Sequence, residues 1–222
     1  MTTEGRNKPH IFSEEEIARL MDEAAKLNSS SGLRAMTYVT LIGLLRATGL
    51  RPGEALALDT GDVDLQNGIL AIRESKFGKS RFVPVEASTR AALARYAKQR
   101  DRLCSRPATE AFLVSERGKR VNGCAARRTF ASISCSIGLR APTGSRRIGR
   151  GPRLQDFRHS FATRRLIEWY RAGLDVGREL PKLATYLGHV DVGHTYWYIE
   201  AVPELLQLAT ERLGGHQTGG EQ

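Results

Sequence analysis

Cysteine, long apolar runs and acidic residues are all scarce in this sequence, and each scarcity closes off a class of protein. The cysteines are Cys104, Cys124 and Cys135. Their number is odd, and their spacing lacks the closely paired ligands of a zinc site. They read as reduced, mostly packed residues of a reducing cytoplasm, and no histidine lies near them in sequence to activate a thiol. Every apolar stretch is broken within a few residues by threonine, glycine or arginine, far short of the roughly 20 residues of a membrane span. The opening "MTTEGRNKPHIF" has no apolar signal core, so neither membrane nor secretion is expected. Acid is in deficit: 24 Asp and Glu against 34 Lys and Arg leave a net charge of +10. That balance points to a polyanionic partner, most often nucleic acid, although a basic surface can also serve solubility alone.

What is present is a chain of 222 residues, 41% hydrophobic, enough to bury a core as one domain. Residues 1–12 read as a flexible arm. Ser13 then opens a helix, with Glu16 completing a capping box and Ile17, Leu20, Met21, Ala24 and Leu27 at helical spacing. Residues 35–48 are nearly all apolar or small and predict a helix buried on most sides, stopped by Gly49. Pro52 suits the first turn of a short helix over Gly53–Leu58. The period then changes. "DVDLQNGILAIRES" and "RFVPVE" read as strands, with Asn67-Gly68 as a hairpin turn and "KFGKS" as a second turn. Further helices are expected at 87–103, 122–137, 156–172, 179–187 and 203–213, with "AFLV" a short strand or extended segment. Residues 214–222 have the composition of a disordered tail. The expected fold is mainly α with a small antiparallel three-stranded sheet, an α+β domain spanning 13–213.

Five stretches could carry chemistry. Arg51 lies between a helix-ending glycine and a helix-starting proline, with Glu54 three residues on to orient its guanidinium; an ordinary surface ion pair at a turn is the competing reading. Lys76 and Lys79 flank the glycine of a hairpin tip, where a lysine can reach a groove and donate a proton, or simply keep a turn soluble. In "RLQDFRHSFATRRL", Gln155 and Arg158 share a helical face, His159 points elsewhere, and Phe157 and Phe161 mark the buried side. An arginine so placed needs a partner, whether a phosphate or an acid such as Asp156. The run "LRAPTGSRRIGRGPR" holds Arg140, Arg146, Arg147, Arg150 and Arg153 without an acid, a composition suited to phosphates or to a solvated loop. Finally, "LGHVDVGHTYWYIE" places His189 just past a helix-breaking Gly188 and Tyr198 nine residues later. Read alone, that stretch is an aromatic core segment. Together with the others it completes a set for phosphodiester transfer: a tyrosine hydroxyl to attack, arginines to neutralise non-bridging oxygens, and an acid to protonate the leaving oxygen. Such chemistry needs no metal or other cofactor, and no metal-ligand cluster is apparent.

Four of these stretches, "ATGLRPGEALALDTGDVD", "SKFGKSRFVP", "LQDFRHSFAT" and "LGHVDVGHTYWY", occur in the order and with the separations of the tyrosine recombinase (phage integrase) family, and over residues 11–213 the chain resembles that family's catalytic domain. The resemblance implies roles residue by residue. Arg51 and Arg158 match the two phosphate-clamping arginines, and Glu54 the acidic residue that supports Arg51. Lys76 matches the general acid and Lys79 does not. His189 matches the histidine that bonds the phosphate. Tyr198 matches the nucleophile that leaves a 3′-phosphotyrosyl link and a free 5′-hydroxyl, with Tyr196 the competing candidate. Lys79, Arg81, Arg146, Arg147, Arg150 and Arg153 are the expected DNA contacts.

Two departures from the family pattern stand out. Gln155 occupies the position where the family usually has histidine; it can hydrogen-bond a phosphate oxygen but carries no proton at neutral pH. About twelve residues precede the first helix, where family members carry a DNA-clamping domain, so weak and salt-sensitive DNA binding is expected. The expected partner is double-stranded DNA. Protomer contacts on DNA could run through residues 203–213, whose leucines at helical spacing could equally pack on their own domain, and the free protein is expected to be a monomer. Three functional readings stay open: an active site-specific recombinase or integrase of a mobile element, a DNA-binding relative with impaired catalysis, and a type IB topoisomerase-like enzyme.

Overall fold

Helix α2, Leu33–Thr48, is the axis around which the chain is wound. Its buried residues, Leu33, Ala35, Thr37, Tyr38, Leu41, Ile42, Leu44, Leu45 and Thr48, face several directions at once, as its all-round apolar sequence predicts. The structure is a computed structural model and describes residues 9–75, 79–141 and 151–188. Around α2 pack α1 (Glu14–Ala25), α3 (Pro52–Ala57), α4 (Ala87–Leu103) and α6 (Asp156–Arg171). The remaining helices are α5 (Gly123–Ser136), which packs on α1 and α3, and α7 (Val176–Leu187), which packs on α6. Between α3 and α4 lies one antiparallel sheet in the order β1 (Val63–Asp64), β2 (Ile69–Ser75), β3 (Lys79–Pro84). The mainly α fold with a small three-stranded antiparallel sheet is as expected.

Local chemistry accounts for most boundaries. The Ser13 hydroxyl accepts from the Glu16 amide at 3.1 Å and the Glu16 carboxylate accepts from the Ser13 amide at 2.9 Å, the reciprocal cap the sequence predicts for α1. α2 ends at Gly49, whose φ of 60° lies in the left-handed region. Thr37 is buried in α2 yet satisfied: it donates to the Val114 carbonyl at 2.9 Å and lies 3.0 Å from the Tyr96 hydroxyl, tying α2 to α4 and to the segment after α4.

Several expectations are revised. Phe12 is 5% exposed, stacks on Phe157 at 4.4 Å between ring centroids, and its amide donates to the Ser160 hydroxyl at 2.8 Å. The ordered domain therefore includes residues 10–12, and only residues 1–8 of the expected arm lie outside the described residues. The β1–β2 connection spans residues 65–68 rather than Asn67-Gly68 alone. Asp64 closes it by accepting from the amides of Gln66 and Asn67, both at 2.9 Å, a side-chain turn that competes with the two-residue hairpin. "AFLV" is buried and bent at Phe112 and Leu113 and belongs to none of the three strands; it forms isolated bridges at Ala111 and Val114. α7 begins at Val176, earlier than expected, because the Asp175 side chain caps it, and Pro181 sits within the helix. Arg140 does not face outward: it is 7% exposed and donates to the carbonyls of Gly151 and Pro152 at 3.3 and 2.5 Å, closing the base of the arginine-rich run. Cys124 is exposed while Cys104 and Cys135 are half-buried, and all three are free. Residues 203–222 lie outside the described residues.

The core has two parts. The larger unites α1 to α5 with the sheet, Leu154 and Phe157; the smaller joins Phe161, Ala162 and Leu166 of α6 to Val176, Leu180, Leu183 and Leu187 of α7. α6 thus spans the seam between them. Replacing Phe12 by Ala removes an aromatic ring from the larger part and is expected to cost about 3–5 kcal/mol in urea unfolding; a loss below about 0.5 kcal/mol would return residues 10–12 to the arm.

Candidate active site

Helix ends build this site. α2 stops at Gly49, Leu50 is buried, and Arg51 then stands in extended conformation immediately before Pro52, the first residue of α3. Only glycine fits this turn, because a Cβ at Gly49 would lie 2.6 Å from the Phe161 ring. Glu54, in the first turn of α3, accepts from the Arg51 amide at 2.9 Å and from the Arg51 guanidinium at 2.8 Å. The side chain of Glu54 is 7% exposed. So sheltered a carboxylate needs more than one cation, and the second comes from the sheet.

That second cation is Arg81 of β3. Its guanidinium grips both oxygens of Glu54, at 3.1 and 2.9 Å, and its Nε donates to the Tyr186 carbonyl at 2.8 Å. Strand alternation explains the placement. Arg81 and Val83 share one face of β3 and point inward, while Phe82 between them points out and is 75% exposed. Burial pushes the Glu54 carboxyl upward, but the hydrogen bonds from Arg81 and Arg51 outweigh it and hold the group below its ordinary value of 4.5.

Arg158 enters from α6. It is 2% exposed and donates to the Gly49 carbonyl at 3.1 Å and to the Leu187 carbonyl at 2.6 Å. Asp156, the acid expected as its alternative partner, is bound instead to Arg153, which it receives at both the amide and the guanidinium. Arg51 completes the pattern by donating to the Gly188 carbonyl at 3.4 Å. Three successive carbonyls at the end of α7, those of Tyr186, Leu187 and Gly188, thus accept from Arg81, Arg158 and Arg51. The last carbonyls of a helix lack partners within it and carry the negative end of its dipole, so cations settle there. Gly188 takes a φ of 68°, and a Cβ on it would lie 2.8 Å from the Arg81 guanidinium.

The structure therefore brings Arg51, Glu54 and Arg158 together at the end of α7. Gln155 immediately precedes α6, three residues ahead of Arg158, makes no side-chain cap and is half-buried. His159 is half-buried one residue beyond Arg158; its burial, against the pull of Asp156, holds it below the usual histidine range. Lys79 begins β3. The side chain of Arg153 is 55% exposed. Lys76, Arg146, Arg147, Arg150, His189 and Tyr198 lie outside the described residues. The backbone does fix what adjoins two of them: Ser75 pairs with Lys79 across the hairpin that carries Lys76, and Gly188 immediately precedes His189. Sequence reasoning placed Arg81 among DNA contacts and missed its place inside the cluster, although the alternation of Arg81 with buried Val83 carried the signal. Among the described residues, no group of three His, Cys, Asp or Glu side chains could hold a metal ion, and no helix is long and apolar enough to cross a membrane.

Two guanidinium groups held side by side above one helix end, braced by a buried carboxylate, form a fork suited to the non-bridging oxygens of a phosphodiester. The profile of the phage integrase family matches residues 10–204. The chain belongs to that family. The Sinorhizobium fredii protein named "Putative integrase/recombinase y4rB" is 45% identical over 94% of this chain and 66% of its own length. The tyrosine recombinase XerD of Rhizobium meliloti is 30% identical over 90% of this chain and 60% of its own. This phage integrase family member therefore spans somewhat under two thirds of the length of such relatives. Among solved structures, the XerA recombinase superposes with a TM-score of 0.69 at 26% identity, covering 95% of this chain and 66% of that one. The XerH site-specific recombinase, solved with a palindromic difH substrate, shares the fold with a TM-score of 0.67 at 22% identity, covering 95% and 55%.

The depressed Glu54 value sets an acid dependence for the fold of this integrase relative. A carboxylate favoured in the folded state contributes stability that is complete above its unfolded value of 4.5 and is lost as pH falls through the lower folded value. Melting temperature should therefore drop as pH is lowered from about 5 to about 3, and Glu54→Gln should reduce the drop in that window while lowering the melting temperature at neutral pH. An unchanged acid profile in Glu54→Gln would show that other carboxylates set it.

Proposed function

We propose that this chain is the catalytic portion of a site-specific DNA recombinase or integrase, acting on double-stranded DNA in the cytoplasm to integrate or excise a mobile element. The observation that carries the reading is the convergence of Arg51 and Arg158 on the last carbonyls of α7, one residue before His189 and within reach, along the sequence, of Tyr198. A scissile phosphate entering here meets two guanidinium groups able to neutralise its non-bridging oxygens. The Tyr198 hydroxyl attacks phosphorus and gives up its proton to solvent, the bond to the 5′-oxygen breaks, and Lys76 supplies the proton that turns the leaving oxygen into a hydroxyl. His189 and Gln155 donate hydrogen bonds to the phosphate. A 5′-hydroxyl from the exchanged strand then attacks the 3′-phosphotyrosine and releases Tyr198. The bond energy is kept in the phosphotyrosine, so no cofactor enters the scheme.

DNA contacts beyond the scissile phosphate are assigned to Lys79, Arg153, Arg146, Arg147 and Arg150. Residues 203–213 are assigned to protomer contacts on DNA, and a groove of about 260 Å³ that combines Phe161, Trp169, Leu183 and Tyr186 with the charged Glu86, Arg165 and Lys182 lies on the α6–α7 side of the domain. A second reading, a DNA-binding relative with impaired catalysis, is favoured by Gln155 alone, since an amide at the entrance of α6 cannot shuttle a proton.

A nicked suicide duplex carrying the site that the protein selects from a randomised DNA pool should trap a covalent adduct. Tyr198→Phe should abolish it, and Arg158→Ala should slow its formation by at least about 100-fold. Trapping undiminished in Tyr198→Phe would move the nucleophile elsewhere, with Tyr196 next in line. Gln155→His should raise the rate of trapping by about tenfold or more; an unchanged rate would show that Gln155 does not limit catalysis.

A further inference from the structure

We propose that Arg81 is a positioning residue for the phosphate clamp: it anchors and neutralises Glu54, so that this carboxylate aims Arg51 without cancelling its charge. The inference rests on the recombinase reading above. It deepens that reading by assigning to the catalytic machinery a residue that touches no DNA.

Charge is the first part of the argument. Arg51 and Glu54 alone would form a closed, neutral pair, and a guanidinium neutralised in this way attracts a phosphate weakly. With Arg81 added, one carboxylate faces two guanidinium groups and the trio keeps a net positive charge. Geometry divides the work. Arg81 presents a two-pronged contact to both oxygens of Glu54, whereas the Arg51 side chain touches only one of them, at 2.8 Å, its other contact to Glu54 being the backbone amide. The carboxylate is thus held mainly by Arg81 and directs Arg51 through a single nitrogen.

Accessibility is the second part. The Arg81 side chain is 12% exposed, and each of its three guanidinium nitrogens donates to an acceptor within the protein: Nε to the Tyr186 carbonyl and the other two to Glu54. Its two-pronged edge is thus turned onto Glu54 rather than left for a ligand. Connectivity is the third. Arg81 sits on the strand that leaves the hairpin bearing Lys76, it grips the carboxylate that aims Arg51, and it holds the end of α7 next to His189. The missing side chain of Gly188 leaves the space in which this guanidinium lies.

The test compares wild type, Arg81→Met, Arg81→Lys, Glu54→Gln and the Arg81→Met/Glu54→Gln pair, using the selected-site suicide duplex and binding to the intact site across a salt series. Arg81→Met should slow adduct formation by about 100-fold. It should leave the slope of log affinity against log salt unchanged, whereas loss of a direct phosphate contact would reduce that slope by about one. Adding Glu54→Gln should restore about tenfold of the lost rate, because the uncompensated carboxylate is gone and Arg51 is released from it. Arg81→Lys, which keeps charge but loses the fork, should fall between wild type and Arg81→Met. Thermal melting monitors folding, and if Arg81→Met does not fold, Arg81→Lys with and without Glu54→Gln is read in its place. A reduced salt slope, an undiminished rate in the Arg81 variants, or a loss that Glu54→Gln does not relieve would each overturn the proposal. Absence of adduct from the wild-type protein would instead overturn the recombinase reading, and this inference with it.

Discussion

The burial of one carboxylate governs this site. Glu54 is withdrawn from water into the angle between α3, β3 and the end of α7, and a carboxylate in that position is tolerable only if its oxygens are filled. Arg51 fills one side through its amide and its guanidinium, and Arg81 fills the other. Because the three groups come from the α2–α3 turn and the sheet, satisfying one charge also fixes the distance between those elements. The same arginines each donate once more to α7, so the positions of a turn, a strand and a helix end follow from a single electrostatic requirement.

The end of α7 shows how backbone and side chains share this work. Helix carbonyls left without intrahelical partners need donors, and buried guanidinium groups need acceptors; Tyr186, Leu187 and Gly188 supply the first and Arg81, Arg158 and Arg51 the second. Each need meets the other, and Arg158 is 2% exposed while donating to the carbonyls of Gly49 and Leu187. Two glycines make the close approach possible. Gly49 turns the chain between α2 and Arg51 against the face of Phe161, and Gly188 turns it out of α7 against Arg81.

How much of this was legible in the sequence depended on whether the signal was local. Caps, helix-breaking glycines and the apolar period are local, and they placed α1, α2, α4 and α6 within a residue or two. The pairing of Arg51 with Glu54 was local as well, being three residues apart in one capped turn. The partner of Arg158 was not: the sequence offered Asp156 nearby, but that acid is satisfied by Arg153, and the true acceptors lie 109 and 29 residues away on backbone that no side-chain pattern reveals. Arg81 was placed among the DNA contacts, and its partners Glu54 and the Tyr186 carbonyl lie 27 and 105 residues away, where only the fold brings them to it. Phe12 was misread because it lies outside any periodic segment, and only its stacking on Phe157 brings it into the core.

The division of the core gives the site a particular weak point. Among the described residues, seven buried hydrophobic residues hold α7 to the middle of α6, a cluster much smaller than the one that holds the rest of the domain together. Units of that size open at less free energy than the whole fold. When this one opens, the carbonyls that hold Arg81, Arg158 and Arg51 leave together, while the larger core stays closed around α2. On heating, the arginine cluster is therefore expected to come apart as a local event ahead of global unfolding.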